Sequence, residues 1–504
     1  VIPLLAALQT APLPTVSRPA LLAVGVGYFL IVAAIGAYAT SRTRTTRDFF
    51  VAGRGIGLWA LVLSVLSATL SGFVFIGGPG LVYTLGMGAM FIVLPIAITN
   101  PMVAWVLARR LRLLAEVRGI LTLPEAIGVR FRSPLAQGLA AVSVLIAVVG
   151  YMATNVLALG LVIDAIFGVG LGWGIWIGTG ITLAYATGGG ILAGIWTDMF
   201  QGVLMALASV LVFVFTLQAG GGMEAMSRLI LAADPTFFSA WGALTPLAAL
   251  SFFFVFAVGA LGQPHVVHKF LMIRDPEQLR WYPLLATVAI VLTLLLYFGV
   301  GVAVKALVVG GELAPLGNAD EATPAFLLQF TPVILAALVF SGVAAAIMST
   351  VNSFMNVGAA ALVHDLPQAL GRLPSQELRW GRIATVGISV LAGLTAQLSG
   401  TLVAFLGIFG WGLFASTLVP ALALGLNWRG ATREGAVASI ATGLVITLVF
   451  EVTAYMGWYS FPTGVTVSGL SLVASLLVFL GVSVLTRNGP GAQVDPDVAV
   501  VLEA

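Results

Sequence analysis

The sequence predicts an all-α polytopic membrane protein with about 13 transmembrane helices. Three observations predict it. Of the 504 residues, 60% are hydrophobic and only 8% charged, against about 25% charged in an ordinary soluble domain. Apolar runs of 18 or more residues recur from about residue 20 to residue 486, and the period-two alternation of a membrane β-barrel is absent. The positive charges fall on alternate loops, as membrane topology demands.

The spans are expected at about 19–41, 56–83, 87–109, 134–166, 170–187, 191–218, 246–267, 282–305, 326–361, 380–398, 401–425, 435–456 and 464–485. The apolar patch before them, Val1 to Leu13, is short and Pro-broken and has no basic leader, so it does not read as a signal peptide. With the N-terminus outside, 19 of the 22 basic residues lie on the inner side, and only Arg18, Arg228 and Lys305 lie outside. The C-terminus is then cytoplasmic, and the chain is a multi-pass protein of the cell (inner or plasma) membrane. The basic residues are topology signals, so the net charge of +3 calls for no nucleic-acid partner. The outer segments 219–245 and 306–325 could form short helices. The tail after Arg487 carries Gly489, Pro490 and alternating acids, reads as disordered, and is too short for a second domain.

The absence of cysteine rules out disulfides, thiolate metal sites and cysteine nucleophiles. Three scattered histidines argue against a histidine metal site. No nucleophile–base pairing is visible, so the chain is not expected to be an enzyme.

Two spans are interrupted. The second reads SVLSATLSGFVFIGGPG from Ser64 to Gly80, with Ser67, Thr69, Ser71 and Gly72 breaking the apolar run. The seventh reads FAVGALGQPHVVHKF from Phe256 to Phe270, broken by Gly259, Gly262 and Pro264. The second starts inside and the seventh ends inside, so they run antiparallel, five spans apart. Spans 2–6 (56–218) and 7–11 (219–425) then form two five-helix units of inverted topology, preceded by 1–55 and followed by two helices in 426–486 and the tail 487–504. Paired broken helices in inverted repeats point to the midplane site of a secondary transporter. Glycines that merely ease helix packing are the alternative.

The ninth span carries AAAIMSTVNSFMN from Ala344 to Asn356. Ser349, Asn352, Ser353 and Asn356 are spaced i, i+3, i+4, i+7 and share one face, which Ser341 and Ala345 extend. A dehydrated sodium ion is a hard cation that wants about five oxygens. Carbonyls near Ser67 and Leu70 in span 2 could supply them, with the Ala346 carbonyl and the Ser349 and Thr350 hydroxyls of span 9. Serine and threonine often bond to a carbonyl one turn back instead.

Asp198 is a carboxylate inside span 6, either binding or gating a cation or bonded to Gln201 or a distant partner. Glu451 and Asp164 lie near outer span ends, close to water. His265 follows the Pro264 break and either orients the broken helix or simply packs. His364 and Asp365, at the inner end of span 9, are expected to be solvated.

These residues resemble the sodium:solute symporter family, which includes proline, pantothenate, monocarboxylate, sialic acid and sodium–glucose carriers. The resemblance runs from about Tyr28 to Leu485. It rests on Asp48 to Gly57 (DFFVAGRGIG), Gly78-Pro79-Gly80, Ile195 to Gln201 (IWTDMFQ), Gly262 to His265 (GQPH, as in the proline-carrier branch) and Ala345 to Thr350 (AAIMST). It implies a LeuT-type five-plus-five inverted repeat. It also implies a sodium site from Ser67, Leu70, Ala346, Ser349 and Thr350. Some members hold a second sodium with an aspartate like Asp198 and serines like Ser349 and Ser353; here Asn352 stands where such members have serine. Proline carriers have an aspartate in the first break, where this chain has Thr69. They have tryptophan and tyrosine before the GQPH stretch, where this chain has Phe256 and Ala260. Tyr151 matches. The implied substrate pocket is Thr69, Ser71, Gly72, Phe75, Tyr151, Phe256, Ala260 and Gln263. The expected function is sodium-coupled symport of a small organic solute, such as proline or a small carboxylate, by alternating access. The partners are then the solute, sodium and the bilayer. A proton-coupled symporter using Asp198, or a membrane solute sensor, is the alternative; the short tail argues against the sensor.

Overall fold

The computed structural model describes residues 18–69, 71–372, 374–399, 403–461 and 464–503. Its long helices are α1 (Arg18–Arg42), α2 (Leu58–Thr69), α3 (Gly78–Leu85), α4 (Met90–Val103), α5 (Pro134–Phe167), α6 (Leu171–Ala219), α7 (Pro246–Gly259), α8 (Tyr282–Val309), α9 (Val333–Ala360), α10 (Glu377–Leu398), α11 (Val403–Val419), α12 (Arg433–Tyr455) and α13 (Val467–Leu485). Among the described residues, eleven helices are long and apolar enough to cross a membrane, and Leu58–Thr69 and Leu171–Ala184 are shorter apolar ones. Their starts are written in the sequence: Ser133, Thr245, Thr432 and Thr466 each accept the backbone N–H three residues on.

The fifth and sixth expected spans join as α6 around Gly190, whose φ of 54° is open to glycine. A Cβ there would lie 2.5 Å from the Phe49 ring. The ninth span starts later than expected. Ala322–Phe330 is a separate short helix, and α9 begins after Pro332, since proline ends a helix before it and starts one after it. In segment 219–245 the short helix is Met223–Ala233.

Loops that the charge pattern assigns to one side do meet at one end of the bundle. Arg54 donates to the carbonyls of Ala115 and Ile120, Arg112 to Ile273, and Arg130 to Gly425. Buried Arg112 and Arg130 and half-buried Arg54 clamp the backbone there, each bond using a charged donor. The opposite end is tied by Lys305–Asp234 at 3.0 Å and by Met87 N–H to the Phe237 carbonyl.

Two expectations at the basic end are corrected. The tail is a helix, Pro496–Glu503, with Val498, Val501 and Leu502 buried and Arg118 paired with Asp495. Those three apolar residues are spaced i, i+3, i+4, a helical stripe that the flanking acids obscure. His364 and Asp365 are buried, 6% and 1% exposed. The short helix Leu123–Phe131 folds beneath α9, so His364 sits between Glu125 and Glu377 and Asp365 accepts from Thr122.

At the other end, Asp320 accepts the Val403 N–H at 2.9 Å, at the start of α11. Burial pushes this carboxyl up to about 6 from its ordinary 3.8. The folded chain thus holds the proton more tightly than the unfolded chain. Stability falls as pH rises from about 4 through 6. Asp320→Asn keeps an acceptor for Val403 and removes the titration. It should flatten melting temperature against pH in that window and stabilise the protein at pH 7 by on the order of 2 kcal/mol. An unchanged pH profile would contradict this account of Asp320.

Candidate functional site

The helix broken after Thr69 resumes as a wide π-helical turn, Phe73–Gly77, before α3. Its first free amide after the break is satisfied: Gly72 N–H donates to Asn155 Oδ1 on α5 at 2.9 Å. Leu70, expected to offer a carbonyl, lies outside the described residues. The second break follows the same logic. α7 tightens at Ala260–Gly262, Gln263 is extended, and Pro264 starts a new turn where its missing N–H costs nothing. Ile56 N–H donates to the Met272 carbonyl and Arg274 N–H to the Ile56 carbonyl. The start of α2 therefore lies beside the end of the α7 segment, and the two broken helices are antiparallel.

α9 runs through the core and is buried almost throughout from Ala336 to Ala360. Thr350 Oγ1 reaches across to the Ala68 carbonyl and back to the Ala346 carbonyl, both at 3.1 Å. This bond joins α9 to the last turn of α2, beside the break. The residues that precede Ala68 and Thr350, Ser67 and Ser349, are fully buried, and their hydroxyls have no hydrogen-bond partner among the described residues. Bonding one turn back accounts for Thr69, Ser341 and Asn356. It does not account for Ser67, Ser349 or Ser353. Buried hydroxyls without partners are costly, and oxygens of this kind suit a small dehydrated cation.

Asp198 has a partner that sequence proximity hid. Its Oδ2 accepts Lys269 Nζ at 2.8 Å and also the Ser64 hydroxyl, with both charged side chains 1% exposed. Lys269 lies at the far end of the seventh span, 71 residues away in sequence. Gln201 instead donates to the Tyr28 hydroxyl. Asn352 faces α6 at Gly194, one turn before Asp198 on the same face: a Cβ on Gly194 would lie 2.1 Å from Asn352 Nδ2.

The pocket residues divide. Tyr151 stands in an aromatic group with Phe354 (ring centroids 4.9 Å apart), His265 (5.7 Å) and Trp411 (6.4 Å). Ser71 is 1% exposed, and its hydroxyl has no hydrogen-bond partner among the described residues. Phe256 stacks on Trp411 at 5.1 Å and on Phe73 at 6.1 Å. His265 is thus packed between rings. Gln263 Nε2 donates to the Gly259 and Trp411 carbonyls, leaving its buried Oε1 without a partner among the described residues. Ala260 is 4% exposed, at the α7 break. The remaining three are engaged elsewhere. Thr69 accepts from Asn100, Gly72 packs against Ala158 and Ile347, and the Phe75 carbonyl accepts from Thr323. Sequence reasoning missed Phe73, Phe354, Trp411 and Lys269. Trp411 was the most accessible of them, since Gly407 and Gly410 beside it press α11 onto Tyr151.

A sequence model of the sodium:solute symporter family matches residues 49–443. The chain belongs to the sodium:solute symporter family. It is 28% identical over 482 residues to the high-affinity proline transporter PutP of Bacillus subtilis (strain 168), covering 92% of this chain and 97% of the relative. It is 30% identical over 443 residues to a sodium/proline symporter of Haemophilus influenzae, covering 84% and 87%. Among solved structures, a Na+-coupled sialic acid symporter in a substrate-bound outward-open state aligns with a TM-score of 0.76 at 20% identity, over 92% of this chain and 98% of that one. The fold is the LeuT-type five-plus-five inverted repeat. This symporter-family chain is an integral multi-pass membrane protein.

Proposed function

We propose that this sodium:solute symporter imports a small organic solute, proline being the first candidate, with sodium as co-substrate and by alternating access. The carrying observation is the pair of buried hydroxyls without a partner among the described residues, Ser67 and Ser349, each next in sequence to one end of the bond from Thr350 to the Ala68 carbonyl. Sodium there would draw on Ser67, Ala346, Ser349 and Thr350, with Leu70 completing the set. It would join α2 to α9 and steady the break beside it. The domain division stands in this reading as inverted units 56–218 and 219–425 hinged about the two breaks, with 1–55 before them and 426–486 and 487–504 after. The basic end faces the cytoplasm.

The solute would lie on the aromatic group around Tyr151, Phe256 and Trp411. Gln263 Oε1 is the acceptor left for a substrate N–H, which suits the amine of an amino acid. Proton coupling through Asp198 is disfavoured, because Lys269 and Ser64 already occupy its Oδ2.

The test is uptake of labelled proline into proteoliposomes with an inward sodium gradient and, separately, an equal potassium gradient. Sodium-driven accumulation above equilibrium is expected. Uptake driven equally by potassium, or by a proton gradient alone, would overturn sodium coupling. Sodium-driven uptake of another solute in place of proline would replace only the substrate.

A further inference from the structure

Beyond the seat flanked by Ser67 and Ser349, the structure holds a second charged cluster in the same core. Lys269 Nζ donates to the Ser64 carbonyl at 2.8 Å, to the Ser64 hydroxyl at 2.7 Å and to Asp198 Oδ2 at 2.8 Å. All three ammonium donors are thereby used. The Ser64 hydroxyl in turn donates to the same carboxylate oxygen. The cluster draws on α2, α6 and the end of the seventh span, and Ser64 lies one turn before Ser67 on α2. It is neutral as it stands, one carboxylate against one ammonium.

We propose that the Lys269 ammonium is a tethered cation that takes the place of a second sodium beside Asp198, so that this transporter binds one sodium per cycle. The proposal rests on the sodium reading above. The charge balance supports it. A second sodium on Asp198 would sit within a few ångströms of a buried ammonium, with no further acid among the described residues in the cluster to offset it, and like charges repel strongly in a dry core. Asp198 Oδ1 and Ser353 Oγ remain as acceptors, which a neutral water can use.

The consequence is a limit on concentrating power. With a potential of 100 mV and a tenfold sodium gradient, one sodium supports about 500-fold accumulation of a neutral solute, and two would support about the square of that.

The test counts sodium directly. Purified full-length protein is titrated with 22Na+ at equilibrium, without substrate. One ion per chain is expected for the wild type and two for Lys269→Gln, which frees the carboxylate. The double variant Asp198→Asn/Lys269→Gln should return to one. Two ions in the wild type would overturn the proposal and leave sodium coupling intact. One ion in Lys269→Gln would overturn the role of Lys269. No bound sodium in the wild type would sink the sodium reading itself. The wild-type count decides the main point even if a variant fails to fold.

Discussion

Replacing Ser349 by alanine is expected to raise the sodium concentration for half-maximal uptake roughly 10- to 150-fold. A buried oxygen lost from a bond to a charged partner costs about 1.5–3 kcal/mol, and each 1.4 kcal/mol is about tenfold. Sodium-free stability should hold or improve slightly, because the hydroxyl has no partner among the described residues. Ser341→Ala is the matched control on the same helix. Its hydroxyl bonds back to Ala337, so sodium dependence should not change. Unchanged sodium dependence in Ser349→Ala would remove that residue from the ion seat.

The largest stability effect is expected at Lys269. Lys269→Met leaves Asp198 as a buried charge with only Ser64 for support, and removing one member of such a pair costs about 3–5 kcal/mol. Replacing both, as Asp198→Leu/Lys269→Met, should recover most of that loss, since two apolar side chains fill the space without an uncompensated charge. The measurement is the melting temperature of each purified variant in potassium buffer. A double variant no more stable than Lys269→Met would show that the cluster holds the fold by packing and not by charge compensation.

What could be read from the sequence follows from local physics. Apolar run length gave the all-helical membrane class and most of the long helices, because the bilayer imposes that length on the chain locally. The second break was legible because Pro264 acts on its own backbone, and the first because small and polar residues interrupt an apolar run; Gly72 and Gly262 keep helical backbone and instead stand where a Cβ would lie 2.6 Å from Ala158 and 2.7 Å from Val419. The Ser349–Ser353 face was legible because helical spacing is fixed. Contacts between distant segments were not. Lys269 and Asp198 meet only once the seventh span packs against α2 and α6. His364 is buried by a helix that follows Thr122, more than 230 residues earlier. The aromatic wall was half seen for the same reason: Tyr151 and Phe256 stand in recognisable motifs, while Trp411 and Phe354 join them from α11 and α9.

The most direct measurement of sodium coupling is the melting temperature of the purified protein in sodium and in potassium, each with and without proline, other amino acids, pantothenate, short monocarboxylates and sugars. A ligand at 100 times its Kd stabilises the folded state by about 2.7 kcal/mol. Linkage requires that sodium tighten the substrate as much as the substrate tightens sodium. The account predicts that sodium raises the melting temperature, that proline adds a shift in sodium and none in potassium, and that Ser349→Ala shrinks both shifts at the same sodium concentration. If sodium gives no shift over potassium, alone or with any of these solutes, the ion seat between α2 and α9 is contradicted.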